Sequence, residues 1–227
     1  MLDYQSADSF NNGVLRTSTL LALWVVPKTA PMKPITFDEE QEARELGNRK
    51  ANEYRHSRGY VRDSLSTLWR VPPLAIPLDA KPGKSPTLKE GWGHISFSHC
   101  TEALLIAWSS QKVGVDIENK NRKFNSQLLR KRYFQMKEYQ NNSLNHEEEL
   151  RLALLKQWVA KEAAIKWQKG KLSKDFKQWE INTERKSGHH KSLGYSIHID
   201  QFIHKRWIIA IAHSNKKSIN PYIICQE

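Results

Sequence analysis

Gly114-Val115-Asp116-Ile117-Glu118 is the stretch on which the reading of this chain turns. Its strict alternation marks a strand, in which residues i and i+2 face the same side. Asp116 and Glu118 therefore project together, while Val113, Val115 and Ile117 are expected to point into a core. Two carboxylates held so close repel each other, and a cation is the natural remedy. Hard oxygen donors suit magnesium, which keeps several waters and often shares its shell with substrate phosphates. The plainer alternative is an amphipathic strand with a solvated acidic face, and the pair alone does not choose between them.

Forty residues further on, Trp158-Val159-Ala160-Lys161-Glu162-Ala163-Ala164-Ile165-Lys166 sits inside a stretch, Glu147 to Gln168, that holds no Gly or Pro and reads as one long helix stopped by Gly170. Glu162 and Lys166 are i,i+4 neighbours. They are either an ordinary surface ion pair or a third carboxylate for the same cation with a phosphate-binding lysine beside it. Upstream, Ser96-Phe97-Ser98-His99-Cys100 lies at a turn between expected strands at 95–97 and 103–108. A hydroxyl and an imidazole there can meet a phosphate oxygen, although a single histidine is more often structural.

The remaining pattern alternates between classes. Leu20 to Val26 is an apolar run closed by Pro27, too short for a membrane span and suited to a buried strand. Thr36 and Glu39 form a capping-box pattern before a helix expected to reach about Asn52, and a second helix is expected from Tyr54 to Trp69. A Pro- and Gly-rich loop covers 71–93, a helix is expected from Leu128 to Tyr139, and apolar segments near 179–181, 195–199 and 207–212 suggest closing strands. Cys100 and Cys225 form no paired motif, so a reducing, cytoplasmic setting is expected.

Charge is unevenly spread. Residues 1–111 hold 13 Lys/Arg against 12 Asp/Glu, and residues 112–227 hold 23 against 12, giving a net +12 carried almost wholly by the second half. That asymmetry points to an anionic partner, whether nucleic acid, an acidic protein or a phosphorylated small molecule.

Order and spacing bring these pieces together. A small-residue/His turn, then GVDIE about fifteen residues on, then WxxKExxxK resembles the Sfp-type 4'-phosphopantetheinyl transferases. Arg132-Tyr133-Phe134 with Glu138-Tyr139 resembles that family's segment between the two motifs, and Lys169-Gly170-Lys171-Leu172 its turn after the long helix. Pro82-Gly83-Lys84-Ser85-Pro86 resembles its Gly-Lys-Pro loop, with Ser85 in place of the usual proline. Lys50-Ala51-Asn52-Glu53-Tyr54 with Arg58 resembles its basic N-terminal helix.

The resemblance implies an α+β fold of two similar α/β lobes related by a pseudo-twofold, with the cofactor site between them. Residues 1–111 would form an N-terminal lobe on the 3'-phosphate and adenine side of coenzyme A, and residues 112–227 a C-terminal lobe carrying the metal site and the docking face. It implies a monomeric enzyme that moves the phosphopantetheine arm of coenzyme A to a serine of an apo carrier protein and releases adenosine 3',5'-bisphosphate. Asp116, Glu118 and Glu162 would hold Mg2+ (or Mn2+). Ser98 and His99 would contact cofactor phosphates, with Lys166 near the pyrophosphate, and Lys50, Arg58 and Lys84 would hold the 3'-phosphate. Asp116, Glu162 and Lys166 would carry the chemistry. Glu162 is the first choice of general base, with Glu138 and Lys161 as alternatives. Lys120, Arg122, Lys123, Arg130, Lys131 and Arg132 are candidates to face an acidic carrier used in fatty-acid, polyketide or peptide synthesis. The competing readings are a basic nucleic-acid-binding module, which the central carboxylates disfavour, and an inactive carrier-binding relative. Neither a nucleic acid nor a membrane is expected as a partner.

Overall fold

The computed structural model describes residues 20–134, 147–215 and 222–225. It is a mixed α/β chain that divides into two compact units. Of the described residues, 20–97, 101–112 and 222–225 form the first, and 98–100, 113–134 and 147–215 form the second.

In the first unit, strand β1 (Leu21–Pro27) is fully apolar because both its faces are covered. Helix α1 (Phe37–Arg44) starts on the expected capping box: Thr36 Oγ1 accepts from the Glu39 backbone N–H, and Glu39 Oε2 accepts from the Thr36 N–H. It stops well before Asn52. Gly47 breaks the chain, and helix α2 (Asn48–Trp69) then runs unbroken for 22 residues. The same Glu39 carboxylate receives Arg62 of α2 through Nε at 2.8 Å and Nη2 at 3.0 Å, while Arg62 Nη1 donates to Ile76 O at 2.6 Å. A buried charge pair satisfied on every side thus fixes α1 and the following loop to α2. Short strands β2 (Leu78–Asp79) and β3 (Thr87–Leu88) pair within the Pro/Gly-rich loop. Strands β4 (His94–His99) and β5 (Ala103–Ser109) complete the sheet core.

The second unit opens on β6 (Val113–Asn119), followed by α3 (Ser126–Tyr133), α4 (Glu147–Gln168) and a short α5 (Leu172–Asp175). Strands β7 (Trp179–Asn182), β8 (Ser187–His190), β9 (Ser196–His204) and β10 (Trp207–His213) follow. The sheet order is β6-β10-β9-β8-β7. Strand β10 runs antiparallel to both β6 and β9, and β8 runs antiparallel to both β9 and β7. The last strand, β11 (Tyr222–Cys225), leaves this sheet and pairs in parallel with β1, giving the first unit the order β11-β1-β5-β4. Residues 222–225 therefore belong with the first unit, a return that no local pattern announces.

Helix α4 lies on the face of β6 and β10 formed by Gly114, Asp116 and Glu118 with Ala212, Ala210 and Ile208 opposite them. Ala160, Ala163, Ala164 and Trp167 of α4 pack there with Ile197 and Ile199. Val113, Val115 and Ile117 are buried as expected, and the alternative of a solvated acidic face does not hold. Both faces are buried, and Asp116 is only 2% exposed. Gly114 makes the approach possible. A Cβ there would stand 2.2 Å from Ala163 O and 2.2 Å from Trp167 N, both backbone atoms that cannot swing aside. Gly114→Ala should therefore cost about 3 kcal/mol or more, the upper end of overpacking penalties, read as a lower urea midpoint at unchanged slope. An unchanged midpoint would show that the helix does not sit this close.

Candidate functional site

Because α4 is drawn onto Gly114, Glu162 and Lys166 arrive over the strand position two residues on. Lys166 Nζ donates to Asp116 Oδ1 at 2.8 Å, and Ser98 Oγ donates to the same oxygen at 2.5 Å. Asp116 Oδ2 is buried and has no hydrogen-bond partner among the described residues. A carboxylate oxygen left so is expensive unless something positive completes its environment.

Glu118, on the same face, is gripped by Arg122 four residues on. Burial pushes its carboxyl up to about 7. Arg122 opposes that rise, and the neighbouring Asp116 charge adds to it. Glu162 is raised to about 7 as well, first by burial and then by Asp116, with Lys166 pulling the other way and Glu118 adding a smaller push. The three carboxylates therefore sense one another, and two ammonium or guanidinium groups already act as their counter-charges. The donor set is all oxygen, one buried oxygen is orphaned, and basic side chains stand at the neighbouring positions. These features fit a hard divalent ion.

The other residues fare differently. Ser98 is buried with its hydroxyl committed to Asp116, whereas His99 is exposed at the strand end. Lys50 is exposed in the first turn of α2 and Lys84 is exposed in the loop between β2 and β3. Arg58, expected to hold the 3'-phosphate with Lys50 and Lys84, is buried. It donates through Nε (3.0 Å) and Nη2 to Ala80 O and through Nη1 to Ser57 Oγ at 2.9 Å, and it stacks 3.9 Å from the Tyr54 ring centre. The structure thus ties Arg58 into the first unit's core. Lys161 is fully buried against Phe134 and Phe176 and donates to Phe176 O at 3.3 Å. Glu138 and Tyr139 lie outside the described residues.

Sequence reasoning missed Arg122 as the counter-charge of Glu118, although the four-residue step after the motif was visible. It also missed Arg151, which donates to Arg122 O and Lys120 O at 2.8 Å each and pins the basic loop to α4.

Residues 112–215 match the family model of the 4'-phosphopantetheinyl transferase superfamily. The match spans 104 of the 227 residues. No curated protein matches the chain significantly. The matched span contains β6, α4, β9 and β10, and with them all three carboxylates and Lys166. Phosphopantetheine transfer in general is the activity to which this match points. Among the described residues no helix is long and apolar enough to cross a membrane.

Burial of Glu162 beside Asp116 has a stability consequence whose sign is fixed. A carboxyl raised from 4.5 to about 7 on folding costs nothing while protonated in both states, and its cost grows from pH 4.5 until it is full above pH 7. Without divalent ions, Glu162→Gln should be more stable than the unmodified protein at pH 8 by about 1–3 kcal/mol, with the gap closing toward pH 4.5. Thermal melts across that range check it, and parallel curves would contradict it.

Proposed function

We propose that this protein is an Sfp-type 4'-phosphopantetheinyl transferase. In this reading it moves the phosphopantetheine arm of coenzyme A to a serine of an apo carrier protein and releases adenosine 3',5'-bisphosphate. The observation that carries the reading is the buried Asp116, with its orphaned Oδ2, beside the half-buried carboxylates of Glu118 and Glu162, inside the span that matches the superfamily. Those three side chains would hold Mg2+, or Mn2+ in its place. When bound, the ion would neutralise the pyrophosphate and make the departing bisphosphate a better leaving group.

The chain's own residues divide the remaining work. Lys166, paired with Asp116, is placed to turn toward a phosphate oxygen once the carboxylate has another counter-charge. Glu162 takes the serine proton, directly or through a water. Lys161 is a poor rival, since its ammonium is enclosed by rings and committed to a carbonyl. The serine oxygen forms a bond to the phosphorus of the pantetheine side, the bond from that phosphorus to the bridging oxygen breaks, and the leaving group carries that oxygen away. His99, Lys50 and Lys84 remain the exposed candidates for cofactor phosphates, the last two on the 3'-phosphate side borne by residues 1–111. Lys123, Lys131 and Arg132 are exposed on the strongly basic second half and suit an acidic carrier surface.

Incubation of an apo carrier protein with coenzyme A, Mg2+ and this protein should add the phosphopantetheine mass to the carrier. Asp116→Ala should lower turnover by about a hundredfold or more with its fold retained. Mass spectrometry reads both. Full turnover in excess chelator, or in Asp116→Ala, would contradict the assignment.

A further inference from the structure

A second cluster of ligand-type side chains lies on the face of the second unit's sheet turned away from α4. Strands β9 and β10 pair with His198 directly opposite His213 and with Asp200 opposite Ile211. Period-two geometry puts Asp200 on the same face as both histidines. His213 and Asp200 are buried at 2% and 7% exposure. Asp200 Oδ2 stands 3.1 Å from His213 Nε2 and Asp200 Oδ1 stands 3.4 Å from His198 Nε2, with the two rings 5.1 Å apart. One ligand atom from each residue falls within 4.8 Å of the others. We propose that His198, Asp200 and His213 form a binding site for a borderline divalent transition ion, with Zn2+ the chemical fit.

Three observations support it. The two carboxylate–imidazole separations suit the edges of a coordination shell: bonds of about 2.0–2.2 Å at tetrahedral angles place neighbouring donors about 3.3–3.6 Å apart, and closer at right angles. The donors are two imidazoles and one carboxylate, a set that favours zinc over magnesium and so differs in kind from the all-oxygen group around Asp116. Finally, the cluster is enclosed, with His213 and Asp200 nearly fully buried and His213 Nε2 aimed at the carboxylate. Lys186 Nζ also approaches Asp200 Oδ1, at 3.5 Å, and being half exposed it can turn to solvent when an ion arrives.

Three protein ligands leave a fourth position for water. Bound there, the ion joins β9 to β10. Because His213 is also the partner of Val113 at the start of β6, it braces the strand that carries Asp116. The role is a structural staple. It is independent of the transferase reading and requires neither coenzyme A nor a carrier.

The test uses the full chain, stripped of metal and titrated with Zn2+ alone in a background of millimolar Mg2+, with bound zinc measured by elemental analysis after dialysis. One zinc per chain is expected, together with a raised melting temperature. His198→Ala, which removes the most accessible ligand, should weaken binding beyond the 10–100-fold that loss of an outer-shell partner costs, while circular dichroism confirms its fold. Asp200→Asn provides a second variant should the first fail to fold. Asp116→Asn should keep its zinc, which separates this site from the magnesium group. No zinc retained by the unmodified chain, or equal retention by His198→Ala and Asp200→Asn, would overturn the proposal.

Discussion

The seating of α4 directly on the backbone of Gly114 is the contact on which the site depends. With any side chain at that position the helix would have to stand off, since its own Ala163 carbonyl and Trp167 amide occupy the space. With glycine, the helix backbone meets the strand, and the alanines at 160, 163 and 164 and at 210 and 212 keep the neighbouring contacts equally thin. Glu162 and Lys166 then come to bear on Asp116 by helix geometry alone. The GVDIE motif is therefore a packing instruction as much as a chemical one: its glycine sets the distance at which its carboxylates operate.

That closeness has an electrostatic cost. Burying Asp116, Glu118 and Glu162 near one another raises the carboxyls of the last two to about 7. Lys166, Arg122 and Ser98 offset only part of it. In the proposed reading, a divalent cation would replace the makeshift counter-charges and relieve that cost. This is how function and local instability are commonly linked in active sites.

Much of this was legible in the sequence because it is local. The capping box at Thr36 and Glu39, the period-two run of β6 and the uninterrupted helix from Glu147 to Gln168 all stand where short-range patterns place them. What escaped is non-local. An arginine on a helix reads as a surface charge until Ala80, 22 residues away, turns out to accept its hydrogen bonds. Strand β8 carries Ser187-Gly188-His189-His190, too polar and too short to announce itself. The parallel pairing of β11 with β1 joins opposite ends of the chain. The alternating His198 and Asp200 were visible, but only the register with β10 brings His213 to them. Even the covered face of β6 could not be told from the strand, since alternation shows two faces without showing what packs on either.

The central claim is that the carboxylates around Asp116 are a cation site, at which protons and basic side chains supply the counter-charge in the free chain. Mn2+ binding to the carrier-free protein, followed by electron paramagnetic resonance from pH 5.5 to 8.5, tests it directly. Affinity should climb steeply through pH 7 as Glu118 and Glu162 release their protons, and Asp116→Asn should remove it. Manganese binding that is flat across that range, or undiminished in Asp116→Asn, would contradict the account.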